Sequence, residues 1–245
     1  MSFDKVSILG VDFVNTTLSG MVTQLATHLD NEEKAFVVTA NPEIVLHAHQ
    51  NPSYKEVLQK ASYVTADGIG VVKAAQLLGK PLPERVTGFD MFMQLLQLAN
   101  EKSLSIYLLG AKDEVLQRAI NKINEQFPNI KIVGSHHGFF DWEKDGIDRQ
   151  IKELKPDLVF VALGLPRQEN WIAQHYNQFD KGVFMGIGGS FDVLAGEVNR
   201  APEIWQKLNV EWLYRLVQEP TRWRRMLALP KFALKVVGQR VQGKR

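Results

Sequence analysis

The run DLVFVALGLPRQENWIAQHY, Asp157 to Tyr176, places a short, almost wholly apolar stretch directly before a glycine, a proline and an amphipathic stretch. The first eight residues read as a strand with both faces covered, because they are apolar without alternation. Gly164 ends it, and Pro166 sits near the first turn of a helix over 167–176, where a fixed φ is tolerated. AFVVTA (35–40), SLSIYLLG (103–110), IKIVGS (130–135) and GVFMGIGG (182–189) share the strand character. GFDMFMQLLQLANEK (88–102) and KDEVLQRAINKINEQF (112–127) carry helical periodicity. Strand and helix in alternation predict an α/β fold, a Rossmann-like mostly parallel sheet with helices on both faces. Sheets of this kind bind ligands outside the carboxyl ends of their strands, so the loops after Thr39, Gly110, Gly164 and Gly186 are predicted to share one crevice.

With 245 residues, of which 45% are hydrophobic and 23% charged, the chain has material for one sizeable core. No stretch approaches the ~18 consecutive apolar residues that span a bilayer, and the N-terminus lacks the basic start and apolar run of a signal peptide. A cytoplasmic chain is the expectation. The absence of cysteine excludes disulfides, thiolate metal sites and a cysteine nucleophile.

Charge is divided along the sequence. Residues 200–245 hold eleven Lys or Arg against three Glu, +8, which leaves −6 for residues 1–199 out of a total of +2. After GGSFDVLAGEVNRAPEIW the strand signals stop and prolines stand at 202, 220 and 230. The predicted organisation is a catalytic core over 1–199 and a basic, helical appendage over 200–245, whose partner is anionic: a membrane surface, a nucleic acid or a phosphorylated substrate.

TADGIGVVKAA (65–75) runs from a strand end into a helix with Asp67 at the turn. Asp67 reads either as the cap of that helix or as a carboxylate placed to take a proton from a substrate hydroxyl. Neither Gly68-Gly70 nor Gly186-Gly188 completes a dinucleotide fingerprint, since Lys73 and Phe191 stand at the third glycine, and no Walker loop is present. The turn GIGGS (186–190), with Gly188 and Gly189, reads either as a backbone nest for an anion or as close-packing glycine. Gln168 reads as a crevice amide for a sugar hydroxyl or as a surface residue. HHGFFDWEKDGID (136–148) offers Asp141 and Glu143 in a hydrophilic stretch and no Asp-x-Asp pair, so no metal site is expected.

In EWLYRLVQEPTRWRRMLALPKFALKVV, Arg222 and Arg225 share a helical face while Trp223, Met226 and Leu227 form an apolar one. Such a segment suits an anionic membrane, where each cation near the surface contributes ~1 kcal/mol.

Together TANPEIV, ADGIGVV, LPERVTGFD, YLLGAKDEV, GSHHGFF, VALGLPRQENWI, GIGGSFDVLAGEVNRAP and EWLYRLVQEPTRWRRM resemble the WecG/TagA/CpsF family of bacterial glycosyltransferases, most closely its teichoic-acid linkage-unit branch. The resemblance spans about Val11 to Val237. It implies a GT-E type fold and a cytoplasmic enzyme, peripheral on the inner face of the plasma membrane. It implies inverting transfer of N-acetylmannosamine from a UDP donor to the 4-hydroxyl of undecaprenyl-diphosphate-linked N-acetylglucosamine. It also implies Asp67 as general base, Thr39 and Asn41 beside the reacting sugar, Arg85 and Gln168 in the pocket, and Arg215, Arg222 and Arg225 brought over the site by the appendage. Phe139 and Asp192 fall to the uridine pocket, and Gly110, Gly188 and Gly189 to the substrate crevice. Two departures are Ala40 where proline is common and Arg167 where lysine is common.

The surplus of arginine and the lack of a metal motif predict metal-independent catalysis without a cofactor. Another UDP-sugar as donor, a nucleic-acid-binding protein with a basic tail, and a sugar-nucleotide-binding regulator are the competing readings. The aliphatic LALPKFALKVV speaks against nucleic acid, since phosphate tracking needs no apolar face. Off the membrane, the apolar stripe of the tail would suit a homo-oligomeric contact.

Overall fold

The computed structural model describes residues 3–208 and 210–242, and only the backbone of Lys207, Arg215, Arg222 and Arg224. The chain opens with β1 (Lys5–Ile8) and β2 (Val11–Val14), an antiparallel hairpin turned by Leu9 and Gly10, both at positive φ. That is the conformation a two-residue hairpin loop demands. There follow α1 (Leu18–Asp30), β3 (Lys34–Ala40), α2 (Pro42–Gln50), α3 (Pro52–Gln59), β4 (Tyr63–Ala66), α4 (Ile69–Leu77) and α5 (Gly88–Lys102). Then come β5 (Ser105–Gly110), α6 (Asp113–Gln126), β6 (Lys131–His136), α7 (Ile147–Leu154), β7 (Leu158–Ala162), α8 (Arg167–His175), β8 (Gly182–Gly186) and α9 (Ser190–Leu194).

Among the described residues, β4-β3-β8-β7-β5-β6 form one sheet in that order, every pair parallel. The apolar runs of the sequence are these strands, and their lack of alternation has a visible cause. Along β7, Val159 and Val161 enter the cluster on one face of the sheet, Leu158 and Phe160 the cluster on the other, and all four are fully buried. β3 and β5 divide in the same way, Phe36 and Val38 against Ala35 and Val37, Tyr107 and Leu109 against Ile106 and Leu108. Each such side chain contributes about 1.5–3 kcal/mol of burial, so a sheet sandwiched between helices favours apolar residues in mid-strand, the buried Thr65 of β4 being an exception.

Beyond residue 200 the described backbone is helical: α10 (Glu203–Lys207), α11 (Glu211–Gln218), a single 3-10 turn over Pro220–Arg222, α12 (Trp223–Met226) and α13 (Ala228–Gln242). The prolines set these breaks. Pro220 opens the 3-10 turn, and Pro230 falls in the first turn of α13, where its missing N–H costs no helical bond. α13 packs back on α2 and α4 through buried Phe232 and Val236. Gln239 accepts the Leu9 N–H at 2.8 Å and donates to Ser7 O at 3.2 Å, tying the last helix to the first hairpin.

Candidate active site

β3 and β4 run parallel with Thr39 beside Thr65 and Ala40 beside Ala66, so Asn41 and Asp67 leave the sheet as neighbours. Asn41 turns the chain into α2 as its N-cap, its Oδ1 accepting the Ile44 N–H at 3.0 Å. The Asn41 Nδ2 therefore carries the donors that a ligand meets. Asp67 does not cap the helix that follows it, which is a correction to one of its two readings: α4 begins after Gly68 with no side-chain cap. Its Oδ2 accepts instead the N–H of Gly88, the first residue of α5, at 3.2 Å. The 85–88 segment lies there because Val86 N–H donates to Ala66 O at 2.9 Å, extending along the end of β4. Gly88 must lack a side chain, since a Cβ would stand 2.8 Å from Thr39 Oγ1 and 3.6 Å from Asp67 Oδ2. Thr39, Asp67 and the start of α5 thus converge at one point.

Two cavities meet at that point. The larger, about 470 Å³, follows the carboxyl ends of β3, β7 and β8 and is lined by Thr39, Gln168, Gly188, Gly189 and Asp192, with Gln218 and Glu219 from the appendage. The smaller, about 210 Å³, extends under the appendage and is lined by Gly68, Gly70, Arg85, Trp212, Met226 and Leu229. Asn41, Glu43, Asp67, Phe89 and Arg225 line both. This is the crevice expected outside the strand ends, divided by a wall that carries a carboxylate and a guanidinium.

Gln168 is buried, not on the surface. It enters through a cis Leu165–Pro166 bond, and its amide is fully oriented. Oε1 accepts the Gly188 N–H at 3.0 Å and Nε2 donates to Glu169 Oε1 at 2.7 Å. Glu169 is itself buried, and desolvation raises its carboxyl above the usual range against the hydrogen bond from Gln168. In the turn after β8 the Gly188 N–H is taken by Gln168 and the Ser190 N–H by Ile187 O at 3.2 Å, so these two donors are already engaged within the protein.

Two expected crevice residues lie elsewhere. Gly110, at φ +129, ends β5 against β7, where a Cβ would collide with the Ala162 carbonyl, so it is a packing glycine. Phe139 is 69% exposed, in the loop after the edge strand β6, and lines neither cavity.

The appendage reaches the site through its charges. Arg225 grips Glu43 with Nε 3.0 Å from Oε1 and Nη2 2.8 Å from Oε2. Arg85, from the core, donates to Glu211 Oε2 of α11 at 3.3 Å in a largely buried pair. Arg200 meets Asp90 at 2.6 Å and lies over the Phe89 ring. The side chains of Arg215 and Arg222 fall outside the described residues.

Glu43, Phe89, Glu211 and Trp212 are wall residues that the sequence reading passed over. Glu43 in TANPEIV looks like an ordinary first-turn acid behind an Asn-Pro cap, and its signal was only its nearness to Asn41.

Comparison with known proteins agrees with this architecture. The family model described as "Glycosyl transferase WecG/TagA/CpsF family" matches residues 6–245. Over 234 residues the chain is 44% identical to the N-acetylglucosaminyldiphosphoundecaprenol N-acetyl-beta-D-mannosaminyltransferases of Staphylococcus aureus strains MW2 and COL, covering 95% of this chain and 92% of each relative. A parallel sheet with a carboxylate and an arginine at the wall between two cavities, and a match along nearly the whole sequence, lead to one statement: the chain belongs to the WecG/TagA/CpsF family of glycosyl transferases.

Proposed function

We propose that the chain is an inverting glycosyltransferase that moves N-acetylmannosamine from UDP to the 4-hydroxyl of undecaprenyl-diphosphate-linked N-acetylglucosamine, in the linkage unit of wall teichoic acid or a related surface polymer. The observation that carries this reading is the position of Asp67 on the wall common to the two cavities. One substrate on either side of a carboxylate is the arrangement a direct displacement needs.

In this reading the larger cavity takes the UDP-sugar over the Gly188-Gly189 turn, with Thr39 and Asn41 beside the sugar and Asp192 toward the uridine. The smaller cavity takes the acceptor sugar and its diphosphate beside Arg85. Asp67 accepts the proton of the 4-hydroxyl as its oxygen attacks the anomeric carbon from the face opposite UDP, so the configuration inverts. Charge developing on the departing UDP is met by Arg225, with Arg215 and Arg222 of the same appendage. Catalysis then depends on cationic side chains and not on a divalent ion.

The membrane carries the acceptor, and the appendage would meet it. Trp223 and Leu227 are exposed, as are Leu234, Val237 and Val241 on the outer side of α13. No helix among the described residues is long and apolar enough to cross a membrane, so the contact proposed is peripheral, from the cytoplasmic side. Arg200, Arg225 and Lys235 turn toward Asp90, Glu43 and His49 of the core, and the exposed apolar side chains beside them favour a lipid surface over nucleic acid as the partner.

The test is transfer from a panel of UDP-sugars to a lipid-diphosphate N-acetylglucosamine acceptor, with and without EDTA. The expected result is a β-1,4-linked N-acetylmannosamine product that survives chelation. Product formation abolished by EDTA would overturn the arginine-only mechanism, and a preference for another UDP-sugar would reassign the donor.

A further inference from the structure

Two ion pairs cross the smaller cavity in opposite senses. Glu43 on the core helix α2 holds Arg225 of the appendage, and Arg85 of the core holds Glu211 of the appendage helix α11. All four side chains line the cavity. The pairs join the core to the appendage, yet each uses a guanidinium that faces a site read here as a diphosphate site.

A planar guanidinium accepts carboxylate and phosphate oxygens by the same fork geometry. Glu43 occupies the Nε–Nη2 edge of Arg225 in the bidentate manner a phosphate would adopt. A diphosphate entering this cavity meets Arg85 and Arg225 already neutralised, Arg200 paired with Asp90, and the carboxylates of Glu43, Glu211 and Asp67, of its own sign. It binds against that repulsion or by taking the arginines over.

We propose that Glu43 and Glu211 are placeholders for substrate diphosphate oxygens: they pair with Arg225 and Arg85 to hold the appendage shut before substrate arrives, and the diphosphate of UDP then replaces Glu43 on Arg225 while that of the acceptor replaces Glu211 on Arg85. This rests on the preceding reading of the cavity and adds two positioning residues to it. Asp90 supplies the contrast. It also fastens the appendage, through Arg200, which lines the smaller cavity, but its own carboxylate lines neither cavity and so does not stand in the space a diphosphate would take.

The experiment uses the full chain as wild type, Glu43→Gln, Glu211→Gln and Asp90→Asn. Binding of UDP and of inorganic pyrophosphate is titrated calorimetrically, and tryptic cutting within residues 200–227 is timed without ligand. Both Glu variants should be cut faster and yet bind pyrophosphate more tightly, by about twofold to tenfold for the loss of one such pair. Asp90→Asn should be cut faster with no gain in affinity. Unchanged or weaker pyrophosphate binding in the two Glu variants would make them simple fasteners and overturn the proposal.

Should either variant fail to fold, salt decides on the wild type. Rising ionic strength must speed cutting of the free chain more than of the pyrophosphate-bound chain, and an equal response overturns the exchange. A wild type that neither binds UDP nor transfers sugar would defeat the functional reading itself. Normal wild-type transfer with unaltered affinity in the variants defeats this inference alone.

Discussion

In the core, up to residue 199, the large hydrophobic side chains left exposed are Phe139 and Leu154, whereas residues 200–242 leave ten exposed, from Ile204 to Val241. The two regions have similar chemistry to work with and distribute it differently. A parallel sheet clad on both faces has room inside for all its apolar residues, and the core uses that room. The helices beyond residue 200 have one face toward the core, where Phe232 and Val236 are buried, and among the described residues another on which Leu234, Val237 and Val241 are exposed. An exposed apolar surface of this extent marks an interaction site. Two cations of the +8 segment, Arg200 and Arg225, turn inward to Asp90 and Glu43 of the −6 core.

The largest effect expected is in the core. Asp67→Asn keeps an oxygen for the Gly88 N–H and removes the base, so kcat should fall about 10²–10⁴-fold in a transfer assay while thermal unfolding hardly moves. Next is the contribution of the appendage to chemistry. Arg225→Ala should lower kcat about 10²-fold or more with little loss of stability, because the pair it breaks is half exposed; equal losses in stability and rate would blur the division of labour. On the proposed reading, membrane contact belongs to the appendage. Trp223→Ala combined with Leu227→Ala should weaken flotation with anionic liposomes by at least about tenfold, at about 1.5–3 kcal/mol per buried side chain, and leave transfer to a water-soluble acceptor intact. Unaltered flotation would place the contact elsewhere.

The smallest effect is a property of the core only. Burial would raise the Asp157 carboxyl, but hydrogen bonds from Ser105 and Lys181 outweigh burial and hold it below the usual carboxylate range. A lowered folded-state value gives stability that is present above the unfolded value of ~3.9 and is lost as pH falls through the folded one. Asp157→Asn should therefore cost about 1.5–3 kcal/mol near neutrality and much less in acid, as followed by denaturant melts from pH 7 down to pH 2.5.

The strands of the main sheet were legible because burial on both faces leaves a continuous apolar run, and DLVFVALG has no other economical reading. The hairpin β1-β2 was not, since its strands are four residues long and its turn, Leu9-Gly10, is not one of the dipeptides that announce a hairpin. Strand-end logic found Thr39, Asp67 and the Gly188 turn, because backbone direction alone places them. It failed for Gly110, whose glycine serves packing against a neighbouring strand, and it was the family resemblance, not strand-end logic, that took Phe139 into a pocket lying some strands away from the edge. Glu43 and Glu211 were invisible for a different reason: each matters through an arginine more than a hundred residues distant, and no local pattern records such a partner.

The bond between Gln239 and the first hairpin gives the appendage two piers. Ala201 is buried at one end and Phe232 at the other, both resting on the core. A span held at both piers can bow or slide between them but cannot swing clear as a hinged flap does. An acceptor whose lipid stays in the bilayer would then enter beneath the span from its flank, like a boat under a bridge, with its tail never drawn out of the membrane.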